Sequence, residues 1–212
     1  MTMTDDLIRH LATEPPPPPF SPRRLALRMV LSIVAPVALF LLVLGHRADL
    51  AVAWSNPVVP VKTVLPLAAS AVSLLLLVRL ARPGARAGAA PWFLAGLGVV
   101  AAVLWIGTFV LRAAPERFAE VGIASVAECL GSILLLSVVP SVVILRVMRQ
   151  GAATRPRLAG ALAGLAAATG ATAGYSLFCT RDNPLFFISW YGAAILLVTL
   201  GCAALGARML RW

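Results

Sequence analysis

The sequence predicts an all-α integral membrane protein with six transmembrane helices and both termini on the cytoplasmic side. Three observations carry this expectation. Apolar residues make up 60% of the 212-residue chain and charged residues only 12%, against about 25% charged in an ordinary soluble domain. Apolar stretches of roughly 18–22 residues recur, the length that crosses about 30 Å of hydrocarbon at 1.5 Å per residue. The cations are also unevenly distributed between successive loops.

Two parts follow along the chain: residues 1–24 as a cytoplasmic amphipathic segment with a proline-rich tether, and residues 25–212 as the six-helix membrane domain. In the first part Thr4 can cap a short helix whose first turn carries Asp5 and Asp6, a favourable placement against the helix dipole. Leu7, Ile8 and Leu11 then share one face at helical spacing. So short a helix is marginal alone in water, so it gains order by docking on something. Pro15 to Pro19 form a stiff polyproline run, spanning about 15 Å at ~3.1 Å per residue.

The spans read as Ala26 to Leu44, Val59 to Val78, Pro91 to Leu111, Leu130 to Leu145, Leu158 to Phe178 and Phe187 to Ala207. The fourth is the shortest and can start as early as Val121. Pro36, Pro66 and Pro140 fall inside spans, where membrane helices tolerate proline. The fifth span is small-residue rich, with G-x-x-x-G pairs at Gly160/Gly164 and Gly170/Gly174. Such pairs let backbones approach closely, either within the bundle or across a homodimer seam.

Orientation follows from the cations. With a cytoplasmic N-terminus the inner segments hold thirteen arginines, and the outer loops hold only Arg47, Lys62, Arg112, Arg117 and Arg181. That is the positive-inside pattern. The net charge of +10 therefore reports topology, and direct nucleic-acid binding is not expected. Trp54, Trp190 and Tyr191 fall near outer boundaries, and Trp92 and Trp212 near inner ones, as interfacial anchors do. Ala51-Val52-Ala53 resembles a signal-peptide cleavage site, but the apolar run before it exceeds the 7–15 residues of a secretory h-region. The first span is expected to be retained.

Chemistry is sparse. Pumps and ion-coupled transporters place ionisable side chains near mid-membrane, and the six spans hold essentially none. Glu128 and Lys62 lie near outer boundaries, with His10 in the tail and His46 in the first outer loop. The sequence contains no G-x-S-x-G, H-E-x-x-H or Walker loop, so no enzyme activity is expected.

The cysteines say more. Cys129 marks the outer end of the fourth span and Cys179 that of the fifth, so neighbouring antiparallel helices bring two thiols to one membrane face. In a bacterium that face is the periplasm, where disulfides persist. The pair can form a reversible disulfide or hold a soft metal ion such as Cu(I); Glu128, His46 or Asp182 are available as added ligands. Cys202, well inside the sixth span, reads as a buried small apolar residue. A small-solute transporter and a thiol-redox membrane protein remain as alternatives.

The opening "TDDLIRHLA", the "SPRR" entry to the first span, one cysteine beginning span four, another ending span five, and the closing "WYGAAILLVTLGCAALGARMLRW" together resemble the NrsF family. Those proteins are six-span bacterial inner-membrane anti-sigma factors that restrain extracytoplasmic-function sigma factors. The resemblance implies that Asp5, Asp6, Leu7, Ile8 and Leu11 contact a sigma factor in the cytoplasm. It also implies that Cys129 and Cys179 form a sensor for metal or oxidant stress on the periplasmic side of the bilayer.

Overall fold

The computed structural model describes residues 3–13, 21–82, 84, 86–119, 121–151 and 155–210; the side chains of Met3, Leu7 and Leu11 are outside that description. The described helices are α1 (Met3–Thr13), α2 (Pro22–Leu44), α3 (Leu50–Ala53), α4 (Val58–Leu80), α5 (Ala90–Leu111), α6 (Ile123–Met148), α7 (Pro156–Tyr175) and α8 (Pro184–Met209). A 3-10 turn at Ala114–Glu116 joins α5 to α6. Four of the long helices, α2, α5, α7 and α8, carry proline at the first or second helical position, where the missing N–H has no intrahelical partner to lose. Ser21 caps α2 by accepting from the Arg24 N–H, and Asn183 caps α8 by accepting from the Leu185 N–H.

The expected elements recur with three shifts. First, α1 begins at Met3, so Thr4 sits within the first turn instead of capping it; Thr13 Oγ1 closes the far end by donating to the Arg9 and His10 carbonyls. Second, α6 runs over 26 residues, from Ile123 to Met148. The early start near Val121 is therefore the one the structure takes, and Glu128 in its second turn is exposed. Third, α7 ends at Tyr175 rather than Phe178, which leaves Cys179 in the loop before α8. The proline run and Trp212 lie outside the described residues.

Among the described residues, α2, α4, α5, α6 and α8 are long and apolar enough to cross a membrane. Leu42, Leu111, Ile123 and Leu135 stand on the outside of the bundle, each more than 70% exposed. Such surfaces suit hydrocarbon and would be an aggregation liability in water.

α7 is built differently. Its 20 residues are mostly alanine, glycine and threonine, nearly all buried, because it is the central helix, packed against α2, α4, α6 and α8. A Cβ on Gly160 would collide with the Cys202 carbonyl, and one on Gly164 would stand 2.7 Å from Cys202 Cβ. This pair therefore forms the close, antiparallel seam with α8. Gly170 and Gly174 face Ile33 and Val37 of α2, so α2 runs parallel to α7. Ser70 Oγ donates to the Ala166 carbonyl (2.8 Å), and Thr63 shares a hydroxyl contact with Ser176 (2.8 Å), which makes α4 antiparallel. Both glycine pairs are thus occupied within one chain, and a homodimer seam draws no support from them. α5 is the opposite case: none of its residues is buried, and Trp105 Nε1 ties it to Ser189 Oγ of α8 at 3.0 Å.

The up-and-down order gives the bundle two ends. One gathers the start of α2, the end of α4, the start of α5, the end of α6, the start of α7 and the end of α8, and is arginine-rich. The other carries the loops with Arg47, Arg117 and Cys179. Trp54 and Trp92 are exposed, as anchors should be, but Tyr191 is only 4% exposed. It belongs to an internal aromatic cluster rather than to the membrane surface.

Candidate functional site

Cys129 lies in the second turn of α6, on the face turned toward α7 and α8; Cys179 follows four residues after the end of α7. Both are free thiols and both are buried. They share one cluster with Ile133, Tyr175, Phe186, Phe187 and Tyr191. The Tyr175 and Tyr191 rings meet edge to face at 5.9 Å, and Phe187 lies 5.9 Å from Tyr191. Both thiols come to one end of the bundle as expected, but Cys129 sits on α6 and Cys179 in the loop after α7 rather than on that helix. At that end both thiols are buried, Cys129 at 0% and Cys179 at 6% exposure. A cavity of about 270 Å³ lined by His46, Glu128, Tyr175, Cys179 and Arg181, among others, reaches Cys179.

Loop 176–183 is held by buried charge. Lys62 of α4 has a fully buried side chain. Its Nζ donates to the carbonyls of Cys179 and Arg181, both at 2.8 Å, and to Asp182 Oδ1 at 3.2 Å. An ammonium has three hydrogens, so each has an acceptor. Arg47, from the loop after α2, donates Nη1 to both Asp182 oxygens at 2.9 Å, and Nε and Nη2 to Asp49 at 2.7 and 2.9 Å. Its own N–H bonds the Leu177 carbonyl at 3.0 Å. On the far side of the loop Asn183 Nδ2 donates to the Arg117 carbonyl at 3.0 Å.

Two cations face two carboxylates in this cluster, so the burial is compensated. Hydrogen bonds to Asp49, and next to Asp182, raise the Arg47 pKa above its ordinary value against the opposing effect of desolvation. The same Arg47 contact lowers that of the exposed Asp49.

Among the described residues no three of His, Cys, Asp and Glu gather as a metal-holding group. Of the added ligands considered from sequence, Asp182 is already engaged by Arg47 and Lys62. The donor set in hand is therefore two thiols in an apolar, aromatic setting. That suits a soft ion such as Cu(I) better than zinc, which takes four ligands. Cys202 is buried in the α7–α8 seam, away from this cluster.

At α1, Asp5 and Asp6 occupy the first turn and Ile8 is 59% exposed; all described side chains of the helix are exposed. The side chains of Leu7 and Leu11 lie outside the described residues.

Arg47, Lys62, Asp182 and Asn183 as a clamp, and Tyr175 and Tyr191 as walls, were not read from the sequence as a site. A signal existed for two of them. Lys62 is the single lysine of the chain and lies in an apolar run, and "DNP" at 182–184 is a helix-start signature.

Comparison with known proteins places the chain in a family. No solved structure matches the chain. The chain is 34% identical over 214 residues to the probable anti-sigma-F factor NrsF of Azospira oryzae, covering 99% of both proteins. It is 33% identical over 218 residues to the anti-sigma-F factor NrsF of Caulobacter vibrioides, again covering 99% of both. The sequence model described as "NrsF: Negative regulator of sigma F" matches residues 11–212. It takes in the whole bundle and begins within α1. The chain belongs to the NrsF family of anti-sigma factors, a regulatory family rather than a catalytic one.

Proposed function

We propose that this chain is an anti-sigma factor of the bacterial inner membrane that holds an extracytoplasmic-function sigma factor through its cytoplasmic N-terminal segment. It releases that partner when Cys129 and Cys179 meet a thiophilic metal or an oxidant on the periplasmic side. The observation that carries the reading is the joint burial of the two thiols in one cluster, at the end of the bundle opposite the arginine-rich one. An oxidant would take two electrons and two protons from the pair and leave a disulfide; a soft ion would displace the two protons.

α7 completes a six-span, up-and-down topology. At 20 residues it measures about 30 Å, and its small side chains suit a helix that meets protein rather than lipid. The arginine-rich end then faces the cytoplasm under the positive-inside rule, together with both termini. In α1, Leu7, Ile8 and Leu11 supply apolar contacts, and Asp5 and Asp6 pair with basic side chains on the sigma factor. This is the helix-in-groove mode of recognition. The proline run sets the reach of the tether, and the loops at Arg82–Arg86 and Arg149–Arg157 add contacts.

Shifting the partner from about 99% bound to 1% bound needs the two states to differ by roughly 5.5 kcal/mol in their preference for the signal. The test is affinity purification of the full-length chain, and of a chain lacking residues 3–13, from membranes of the native host. A sigma factor is expected with the full-length chain only; equal recovery with both chains overturns the assignment of α1.

A further inference from the structure

We propose that Lys62 is a positioning residue that couples the Cys179 loop to α4, so that chemistry at the thiols moves α4 against α7. The inference rests on the thiol-pair reading above and adds the route by which the signal leaves the site.

α6 carries Cys129 itself, whereas α4 carries neither thiol. Its link to the sensor is Lys62, whose Nζ donates to the main-chain oxygen of Cys179 at 2.8 Å. That oxygen belongs to the same residue as the reacting sulfur, so any reaction that rotates Cys179 also moves this acceptor. The ammonium cannot let it go without loss: the side chain is fully buried, and its other two hydrogens are committed to the Arg181 carbonyl and Asp182. The Phe187 and Tyr191 rings stand about 6 Å away, so an apolar wall, not water, would meet a released N–H. Loss of one partner from a buried charge is strongly unfavourable. The loop and the first turns of α4 therefore move as one piece.

Arg47 holds the loop from the other side through Asp182, the Leu177 carbonyl and, at 3.5 Å, the same Cys179 carbonyl that Lys62 holds at 2.8 Å. Thr63, next to Lys62, meets Ser176 where α7 ends. These contacts tie the loop to the α2–α4 side of the bundle as well as to α7. From Lys62, α4 runs on for about 26 Å at 1.5 Å per residue to the exposed Arg79 at the arginine-rich end.

The experiment uses full-length variants in the native host with a reporter driven by the sigma factor. The stimulus is diamide, an azo oxidant that accepts two electrons and two protons from a thiol pair. Thiol state is read in parallel by alkylation after denaturation. Lys62→Met is expected to reach normal membrane levels and to show the wild-type change in thiol state, yet to lose at least tenfold in reporter induction. Lys62→Arg, which keeps a cation and its donors, is expected to restore most of that induction. A merely structural role would move thiol state and output together.

Wild-type induction in Lys62→Met overturns the coupling. Undiminished induction in Cys129→Ser/Cys179→Ser overturns the thiol reading itself and this inference with it. If Lys62→Met does not accumulate, hydrogen exchange of the wild-type chain in nanodiscs decides. Diamide should change exchange at residues 58–64 together with 177–183, and a change confined to 177–183 contradicts the proposal.

Discussion

The two ends of the bundle treat positive charge in opposite ways. At one end every described arginine, from Arg23 to Arg208, is exposed, where it is open to water, lipid phosphate or a protein partner. At the other, Arg181 is exposed, but Lys62 and Arg47 are 1% and 7% exposed, and their donors are committed to Asp49, Asp182 and loop carbonyls. Exposed cations of the first kind set topology and attract partners. Buried cations of the second kind contribute little to net stability but specify a single arrangement, which breaks sharply when one member is removed. The first end is built as a surface and the second as a buried, hydrogen-bonded arrangement.

The strongest way to break this contrast is to remove one anion from the dry end. Asp182→Ala leaves Lys62 and Arg47 short of their shared carboxylate and should lower stability by about 3–5 kcal/mol. Arg149→Ala at the exposed end should change it by no more than about 0.5 kcal/mol. Thermal unfolding in nanodiscs compares the two, and equal losses would erase the distinction.

On the partner side, Leu7→Asp with Leu11→Asp removes two apolar contacts worth about 1.5 kcal/mol or more each. Capture of the sigma factor should fall at least about a hundredfold, with the melting temperature of the bundle unchanged. A smaller effect is expected within the arginine-rich half, where α7 and α8 touch backbone to backbone. Gly160→Val meets the Cys202 carbonyl and Gly206 Cα and should cost about 1–3 kcal/mol. Gly98→Val, on the exposed α5 with open space around it, should sit nearer neutral in the same melt.

The smallest effect belongs to Asp49→Asn. Because Asp49 is exposed and its pKa is lowered by Arg47, its contribution is present above the unfolded carboxylate value of about 3.9. It is lost as pH falls through the lower folded value. A slight difference in melting temperature between wild type and variant at neutral pH should therefore begin to shrink below about pH 4 and vanish only once the pH is under the lowered folded value.

Much of the fold was legible because lipid imposes a plain rule. Long runs of leucine, valine and alanine named α2, α4, α5 and α8 to within a few residues, and proline and serine or asparagine marked several of their starts. α7 was legible as a helix, but its G-x-x-x-G pairs did not say whether the close partner was α8 or a second copy. Spacing identifies the approach, not the neighbour. Cys129 and Cys179 could be assigned to one end by counting crossings. Their burial could not, because it depends on where α7 stops. The chain leaves the helix at Tyr175, and loop 176–183 is then bonded by Arg47 and Lys62. The pairing of Lys62 with carbonyls about 120 residues away has no local signature, and Tyr191 read as an interfacial anchor for the same reason.

The central claim is that a reaction at two buried sulfurs changes the grip on a sigma factor at the other membrane face. It is tested most directly with full-length chain in nanodiscs, loaded with the sigma factor recovered from its host and exposed to diamide while bound sigma factor is followed. The account predicts dissociation from the wild-type chain and retention by Cys129→Ser/Cys179→Ser. Retention by both, or equal release from both, would contradict it.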